Sequence, residues 1–385
     1  MIDFESEIMS QSMPIARIKV LGVGGGGSNM VNSMIDAGYE NVEFIVANTD
    51  AQALKLSKAP HKMQLGIKST RGLGAGANPD VGRMAAEEDL TTIVRVLKDA
   101  DVVFLVGGLG GGTGSGALPV IARALKERDI LTVAVVTKPF MIEGMRRMKV
   151  AQKALDELVK EVDTLIVIPN QRLLDKEDKD KRKVTLLEAF KEINNVLNQF
   201  IRAIADIISK PGHINVDFAD LKTVMKRKGF AIIGTGRATG DDRAREAAMK
   251  AISSPLLDKM SVTGAQGVIL NISGSSDLGL HEMSEAASVI YEQVHEDATI
   301  ILGSVIDESL RDEVTVTVIA TGFPQTNSEP AVEIAARVAE RQTVSVATKS
   351  PEPINIVPAQ ENSTIDLNNL DIPAIMRRMM QEKQR

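Results

Sequence analysis

The sequence of 385 residues contains no cysteine and no tryptophan, and only two tyrosines and four histidines. Without cysteine the chain forms no disulfide and has no thiolate nucleophile or ligand. So few histidines argue against a metal centre built by the protein alone. No apolar run approaches the roughly 20 residues that cross a bilayer, and the N-terminus carries Asp3, Glu5 and Glu7 rather than a basic signal region. We expect a cytoplasmic protein without direct membrane insertion.

The balance of charge is slightly acidic. Forty-five Lys and Arg residues against 51 Asp and Glu residues give a net charge of −6. This balance lacks the basic excess typical of proteins that bind nucleic acid, so no nucleic-acid partner is expected. Hydrophobic residues make up 44% of the chain, enough for packed cores, and the length allows two domains.

Apolar segments typical of buried strands alternate with helical patterns in the first half of the chain. Strands that are apolar throughout, separated by helices, indicate a parallel sheet covered on both faces. We therefore predict an α/β fold with a Rossmann-like, doubly wound parallel sheet, in which ligands bind at the carboxyl ends of the strands. The segments read as strands are IKVLGV, EFIVANTD, DVVFLVGG, LTVAVVTKP and TLIVIPN.

A long central helix is predicted to separate this first domain from a second, smaller α/β domain. Thr185 and Glu188 have the spacing of a capping box, and apolar residues then recur every three or four positions until Pro211. After Gly322, prolines among Ser, Thr, Asn and Glu indicate a disordered C-terminal tail. The expected units are a flexible N-terminal segment at 1–14, the first domain at 15–184, the central helix at 185–212, the second domain at 213–322, a flexible linker at 323–364 and a terminal peptide at 365–385.

Two glycine-rich loops each follow a predicted strand and open a predicted helix: GVGGGGSN at 22–29 and GGLGGGTGSG at 107–116. Glycine permits positive φ, so backbone N–H groups can approach an anion, and the helix N-terminus adds partial positive charge. Neither loop has a Walker lysine, although Thr113 and Ser115 offer hydroxyl donors. With a third glycine-rich stretch at 71–80, the pattern predicts a polyphosphate cradle assisted by Mg²⁺.

An NAD-dependent oxidoreductase is an alternative from the residues alone. The first loop, followed after about 20 residues by Asp50, imitates the fingerprint of a dinucleotide-binding unit. One dinucleotide needs one such loop, however. This alternative leaves the second glycine loop and the segment NVDFAD at 215–220 unexplained.

The chain resembles the tubulin/FtsZ family of GTPases, and within that family its bacterial FtsZ branch. GGGTGSG at 110–116 matches the family's signature loop, and GVGGGGSN, NTDAQAL, GAGANP, KPF and NVDFAD stand around it in the family's order. The resemblance runs from Ile15 to about Gly322 and returns in LDIPAIMRR near the end of the chain. It implies a GTP-binding first domain, GTP or GDP with Mg²⁺ as bound groups, and GTP hydrolysis.

The resemblance also implies roles for individual residues. Glu143 and Arg147 stand where the family contacts the ribose, although taken alone they are an (i, i+4) pair typical of a surface salt bridge. Phe190 stands where the base is stacked. No residue is assigned as a protein ligand to a metal. The residues expected to line the nucleotide are Gly25, Gly26, Gly27, Ser28, Asn29, Asn48, Asp50, Ala75, Gly76, Gly112, Thr113, Gly114, Ser115, Glu143, Arg147, Phe190 and Asn195.

Asn195 departs from the family, which commonly has an aspartate five residues after the stacking phenylalanine. That aspartate accepts hydrogen bonds from the guanine N1 and amino groups. An amide oxygen can still accept, but the charge is lost. We therefore expect weaker GTP binding than an Asn195→Asp variant would show.

The glycine loops supply no group that positions the attacking water of a hydrolysis. Asp217 and Asp220 are candidates, although from the residues alone each reads more readily as a helix N-cap. In the family this loop reaches the nucleotide of the neighbouring subunit, which implies that Asn215, Asp217 and Asp220 complete the site in trans. A head-to-tail contact that does not close gives a filament. The implied function is a GTPase of the bacterial division ring that is activated by polymerisation.

The terminal DLNNLDIPAIMRR resembles the family's tail peptide. The resemblance implies binding of membrane-tethering and regulatory division proteins, and concentration of the protein at the division site. From the residues alone, a peptide that folds onto a partner and plain disorder remain equally open. A tubulin-like filament protein with another task, such as plasmid segregation, is a further alternative, which the tail argues against. The residues expected to contact partners are Asp371, Ile372, Pro373, Ile375 and Arg377.

Overall fold

The computed structural model describes residues 16–39, 41–171, 185–209, 214, 216–227, 229–254 and 264–323. The segment 1–14, Asn215, nearly all of the predicted linker and the terminal peptide, including Asp371, Ile372, Pro373, Ile375 and Arg377, lie outside the described residues. The domain boundaries drawn from the sequence remain predictions.

In the part of the chain that the structure describes, ten strands form a single sheet. They are β1 (Ile18–Val23), β2 (Val42–Asn48), β3 (His61–Gln64), β4 (Val102–Gly108), β5 (Leu131–Lys138), β6 (Thr164–Pro169), β7 (Phe230–Thr239), β8 (Gly267–Gly274), β9 (Thr299–Ile306) and β10 (Glu313–Phe323). Their order is β3-β2-β1-β4-β5-β6-β7-β10-β8-β9. The pairs are parallel except that β10 runs antiparallel to both β7 and β8. The predicted doubly wound α/β fold is confirmed, with one antiparallel strand added in the second half.

Helices cover the sheet. Within the described residues, none of them is long and apolar enough to span a bilayer. Two further short segments, Met141–Glu143 and Glu308–Leu310, are 3-10 helices. The α-helices are α1 (Gly24–Asp36), α2 (Ala51–Leu56), α3 (Ile67–Thr70), α4 (Pro79–Glu88), α5 (Leu90–Leu97), α6 (Thr113–Lys126), α7 (Met145–Leu158), α8 (Leu186–Ser209), α9 (Phe218–Met225), α10 (Arg243–Ile252) and α11 (Leu280–Tyr291).

The central strands of the first part of the sheet are buried on both faces because apolar side chains pack on each side of them. Successive side chains of a strand point to opposite faces. Ile18 and Val20 of β1 therefore pack in the core that α1 and α8 cover, and Leu21 and Val23 pack in the core beneath α5, α6 and α7. This two-sided burial leaves the strand ends as the places where polar chemistry can be exposed.

Helix α8 runs across the first core. Its predicted capping box is present: Thr185 N donates to Glu188 Oε2 at 2.8 Å, and Glu188 N donates to Thr185 Oγ1 at 3.2 Å. Leu197 and Phe200 are fully buried, and the Phe200 ring meets Phe104 of β4 edge-on at 6.3 Å between centroids. With 24 residues the helix is about 36 Å long, so it connects regions far apart along the sheet.

The second half of the molecule has a core of its own. Helices α10 and α11 pack on β7, β8 and β10 through a cluster rich in alanine, valine and isoleucine. Arg243 of α10 is buried between the two helices and pairs with Glu282 of α11 at 2.7 Å and with Asp277 at 3.0 Å. The hydrogen bonds from its guanidinium hold the pKa of Glu282 below its usual value. This buried pair fixes the two helices against each other.

Candidate functional site

The carboxyl ends of β1 and β4 form the switch point of the doubly wound sheet. The chain passes from β1 to β2 on one side, whereas β4 continues to β5 on the other. The two strands pair in parallel, with Val23 opposite Gly107, so both glycine loops leave the sheet side by side. Ligands of such sheets bind at this point. A cavity of about 620 Å³ opens there.

Most of the residues predicted to surround a nucleotide line this cavity. The predicted residues in its lining are Gly25, Gly26, Asn29, Asn48, Asp50, Gly76, Gly112, Thr113, Gly114, Glu143, Arg147 and Phe190. The predicted residues outside its lining are Gly27, Ser28, Ala75, Ser115 and Asn195. The backbone amides of both loops therefore face one shared space.

Two serines outside the lining brace the loops from behind. Ser28 Oγ donates to the carbonyl of Gly24 at 2.9 Å, and Ser115 Oγ accepts from the amide of Gly110 at 2.9 Å. Both serines are buried. Each hydroxyl thus satisfies a backbone group of a loop, which fixes the direction in which the neighbouring amides point.

Close packing of glycines sets the position of the second glycine loop. One of them, Gly82, was not predicted from the sequence to have a role at the site. A Cβ on Gly82 of α4 would come within 2.3 Å of the Gly112 carbonyl oxygen, and a Cβ on Gly116 would come within 2.0 Å of the Pro79 carbonyl oxygen. Helices α4 and α6 therefore touch through their backbones. A glycine inside a helical pattern such as that around Gly82 is the signal that pointed to this contact.

Oxygen atoms gather at the end of β2. Asp50 caps α2 by accepting from the amides of Gln52 at 2.8 Å and Ala53 at 3.2 Å, while Thr49 Oγ1 lies 2.7 Å from Thr113 Oγ1. Within the described residues no group of three or more His, Cys, Asp or Glu side chains could hold a metal ion. One carboxylate beside hydroxyls suits Mg²⁺, which keeps waters and takes its other ligands from phosphates.

An aromatic and charged wall closes the far end of the cavity. Phe190 of α8 meets Phe140 edge-on at 5.5 Å between centroids. Glu143 Oε1 accepts from the Phe140 amide at 2.9 Å, and Glu143 also pairs with Arg147. These charged side chains are only 11% and 21% exposed. The pair is therefore a built part of the wall rather than a solvated helix-surface pair.

Asparagines beside Phe190 complete this end, although Asn195 does not take part in the lining. Asn195 is exposed, whereas Asn194 is buried and lines the cavity. The helical phase explains the difference, because Asn194 lies three and seven residues before the buried Leu197 and Ile201, on the same face. Asn170, which sequence reasoning missed, also lines the cavity, and its buried Oδ1 has no partner among the described residues.

Asp217 and Asp220 lie outside the cavity, at the start of α9. Asp217 occupies the N-cap position of α9 without making a side-chain capping bond, and Asp220 follows in the first turn. Both are exposed, and among the described residues neither lines the cavity. Helix α9 is anchored beside Thr164, the first residue of β6, whose Oγ1 donates to the Met225 carbonyl. The cavity lies at the carboxyl ends of the strands instead.

The fold is that of an α/β protein with a cavity at the switch point of its sheet, lined by two glycine loops. The description "Tubulin/FtsZ family, GTPase domain" matches residues 17–178, and "FtsZ family, C-terminal domain" matches residues 229–324. The structure is similar to an empty FtsZ dimer of M. jannaschii, with 42% identity, a TM-score of 0.76 and coverage of 82% of this chain and 90% of that one. A point mutant of the same FtsZ also gives 42% identity, with a TM-score of 0.75 and coverage of 80% and 91%.

A more distant structure shares the fold alone. CetZ2 from Haloferax volcanii, described as a GTPγS-bound protofilament, has 19% identity, a TM-score of 0.69 and coverage of 86% of this chain and 100% of that one. The chain belongs to the tubulin/FtsZ family and is a GTPase. The family resemblance predicted from the sequence is confirmed, and the oxidoreductase alternative is excluded.

The contact at Gly82 predicts a specific loss of nucleotide binding. We expect Gly82→Ala to weaken GTP binding by about tenfold or more, because overpacking a tight contact costs about 1–3 kcal/mol and here displaces Gly112. Helix propensity alone favours alanine. Titration of the monomer with a fluorescent GTP analogue measures the affinity. Gly279→Ala is the control, since the nearest atom to its Cβ is 3.5 Å away. An unchanged affinity for Gly82→Ala contradicts this role.

The buried amide oxygen of Asn170, which has no partner among the described residues, predicts that Asn170 rather than Asn195 contributes to binding of the guanine base. We expect Asn170→Ala to weaken GTP binding by about fivefold or more, because losing a partner of a buried polar group costs about 1–3 kcal/mol. Asn195→Ala should change the affinity little, since its side chain is exposed. The same titration compares both variants with Asn195→Asp. If the two Asn195 variants shift the affinity more than Asn170→Ala does, the assignment from the sequence is the correct one.

Proposed function

We propose that this protein is a self-assembling GTPase of cell division, which forms head-to-tail filaments and hydrolyses GTP between subunits. The observation that carries the proposal is the separation of the cavity from Asp217 and Asp220. The phosphate cradle lies at the carboxyl ends of β1 and β4, and the two exposed carboxylates lie outside the lining of the cavity, at the start of α9. One subunit therefore holds the nucleotide, and the acids of the next subunit meet it.

The nucleotide would lie with its phosphates on the two glycine loops. Backbone amides at Gly25, Gly26 and Gly112–Gly114, together with the N-termini of α1 and α6, would bind the phosphate oxygens. Mg²⁺ would lie near Asp50 and lower the charge of the phosphates. The base would stack on Phe190, with Asn170 and Asn194 beside it to accept from or donate to its polar edge.

The proposed hydrolysis needs a water in line with the γ-phosphorus. A carboxylate of Asp217 or Asp220 from the neighbouring subunit would orient this water and accept its proton, while the bond from the γ-phosphorus to the β-phosphate oxygen breaks and GDP leaves. The exposed position of both aspartates at the start of α9 supports this role, because a carboxylate that acts on another molecule must reach the surface. Asn215 would extend the same loop.

The surface around the cavity supports a contact with a second copy. Leu73, which lines the cavity, is 70% exposed, Ile142 is 85% exposed and Met145 is 51% exposed. Exposed apolar side chains grouped at one mouth are typical of an interaction surface. A contact of this face with the α9 face of another subunit is heterologous and propagates as a filament. The FtsZ relative is described as a dimer and CetZ2 as a protofilament.

Membership of the FtsZ branch supports the task in cell division. In this proposal the terminal peptide connects the filament to membrane-tethering and regulatory division proteins, through Asp371, Ile372, Pro373, Ile375 and Arg377. These contacts would concentrate the protein at the division site. Loss of γ-phosphate after hydrolysis would weaken the subunit contact that the nucleotide bridges, so the filaments would turn over.

A concentration series tests the shared site. We expect phosphate release from GTP with Mg²⁺ to be near zero per subunit below a threshold of protein concentration and to rise steeply above it, because the acids arrive only on assembly. Light scattering in the same samples reports filament formation. A specific activity that stays constant down to the lowest concentration means that each monomer hydrolyses alone, and the proposal then fails.

The acid itself is tested by Asp220→Ala. We expect GTP affinity and filament formation to persist while hydrolysis falls by about 100-fold or more, the usual contribution of a general base. Asp241→Ala serves as the matched control, because Asp241 is also exposed but lies in the turn before α10. Unchanged turnover in Asp220→Ala places the catalytic acid elsewhere.

A further inference from the structure

Helix α9, which carries Asp217 and Asp220 at its start, is anchored by its C-terminal end. The carbonyl of Met225 accepts from Thr164 Oγ1 of β6, and the carbonyl of Val224 accepts from Thr321 Oγ1 of β10 at 3.1 Å. The last carbonyls of a helix have no partner within it. Hydroxyls from the first and the second half of the sheet donate to these two carbonyls, so the end of the helix is held at the junction of the two halves.

A cluster of charges adds a third anchor. Asp129, two residues before β5, pairs with Lys226 Nζ at 2.6 Å and with Lys222 Nζ at 3.6 Å. Lys222 lies in the last turn of α9, and Lys226, one turn further along the same face, is its C-cap residue. The hydrogen bond from Lys226 holds the pKa of Asp129 below its usual value and raises the pKa of Lys226. Positive charge is also favoured at a helix C-terminus.

Helix α6 connects this anchor to the second glycine loop. Asp129 ends the turn that follows α6, and its amide donates to the Lys126 carbonyl at 3.1 Å. Helix α6 begins at Thr113 in the second glycine loop and is buried along most of its 14 residues, a length of about 21 Å. The cradle for the subunit's own nucleotide and the contact that fixes α9 therefore lie at the two ends of one helix.

Helix α9 is short, so a small change at its C-terminal end, where Asp129 pairs with Lys222 and Lys226, changes the direction of the end that carries Asp217 and Asp220. Eight residues give a length of about 12 Å, so a tilt of about 5° at the C-terminus moves the acidic end by about 1 Å. A displacement of this size at reacting groups can reduce a rate by up to about 100-fold. By contrast, an ion pair whose carboxylate is 78% exposed contributes little to the stability of the fold.

We propose that Asp129 is a positioning residue for hydrolysis, which through Lys222 and Lys226 sets the direction in which α9 presents Asp217 and Asp220 to the neighbouring subunit. Asp129 touches no nucleotide and acts only through α9. The inference rests on the proposed hydrolysis between subunits.

The test compares Asp129→Asn, Lys226→Gln and the double variant in the full chain. Asn suits the left-handed backbone of residue 129, where φ is +55°, so the charge is removed without backbone strain. We expect GTP affinity and the assembly threshold to be unchanged, whereas turnover per assembled subunit falls by about three- to tenfold in each single variant. The double variant should lose no more than the single ones, because both break one interaction.

Two further variants separate positioning from general damage. Lys226→Arg keeps the charge and should retain most of the turnover. Lys250→Gln removes a comparably exposed pair with Glu246 on α10 and should leave turnover unchanged. The proposal is overturned if Asp129→Asn turns over at the wild-type rate, if the losses of the two single variants add, or if turnover falls only as far as affinity or assembly falls. Failure of the proposed function appears separately, as wild-type activity that is independent of concentration.

Discussion

The parallel pairing of β1 with β4 is the constraint on which the rest of the site depends. It brings the two glycine loops together, and they touch because no side chain separates them. A Cβ on Gly26 would lie 3.0 Å from the Gly108 amide nitrogen, and a Cβ on Gly24, where φ is +73°, would lie 3.2 Å from the Gly114 amide nitrogen. Backbone amides can then surround an anion from two sides. In the proposed function, the site consequently needs no lysine of its own to bind the phosphates.

The same parallel arrangement explains why cradle and acids are separate. All carboxyl ends of β1 to β6 lie at one edge of the sheet, and the second half joins this sheet by only two residue pairs between β6 and β7, at Leu165 and Ile166. Helix α8 starts beside the cavity with Phe190 and carries the chain about 36 Å away. In the proposed function, this separation of the cavity from the acids is the polarity that a head-to-tail filament requires.

Much of this could be predicted from the sequence because it is local. Strand periodicity, the glycine loops and the capping box of α8 each depend on residues close together in the chain. Asn195 shows the limit: each residue turns a helix by about 100°, so a shift of one position exchanges a cavity-facing amide for an exposed one. The charged Lys191 and Arg202 lie on the same face of the helix as Asn195, and both are exposed. Their charge was the signal in the sequence that this face is turned to solvent. The antiparallel direction of β10 and contacts between distant segments have no such local signal.

Asp50 and Asp217 both occupy the N-cap position of a helix, but only Asp50 stabilises its helix by capping it. Asp50 caps α2 with two hydrogen bonds to backbone amides, whereas Asp217, in the same position on α9, makes no capping bond. A capping bond contributes about 1 kcal/mol, so α9 forgoes stabilisation that its sequence could provide. Anchors at the opposite end of α9, from Thr164 and Thr321, hold the helix instead. Because the helix is held at its C-terminal end, the carboxylate of Asp217 is not needed as a cap. In the proposed mechanism it acts on a neighbouring molecule instead.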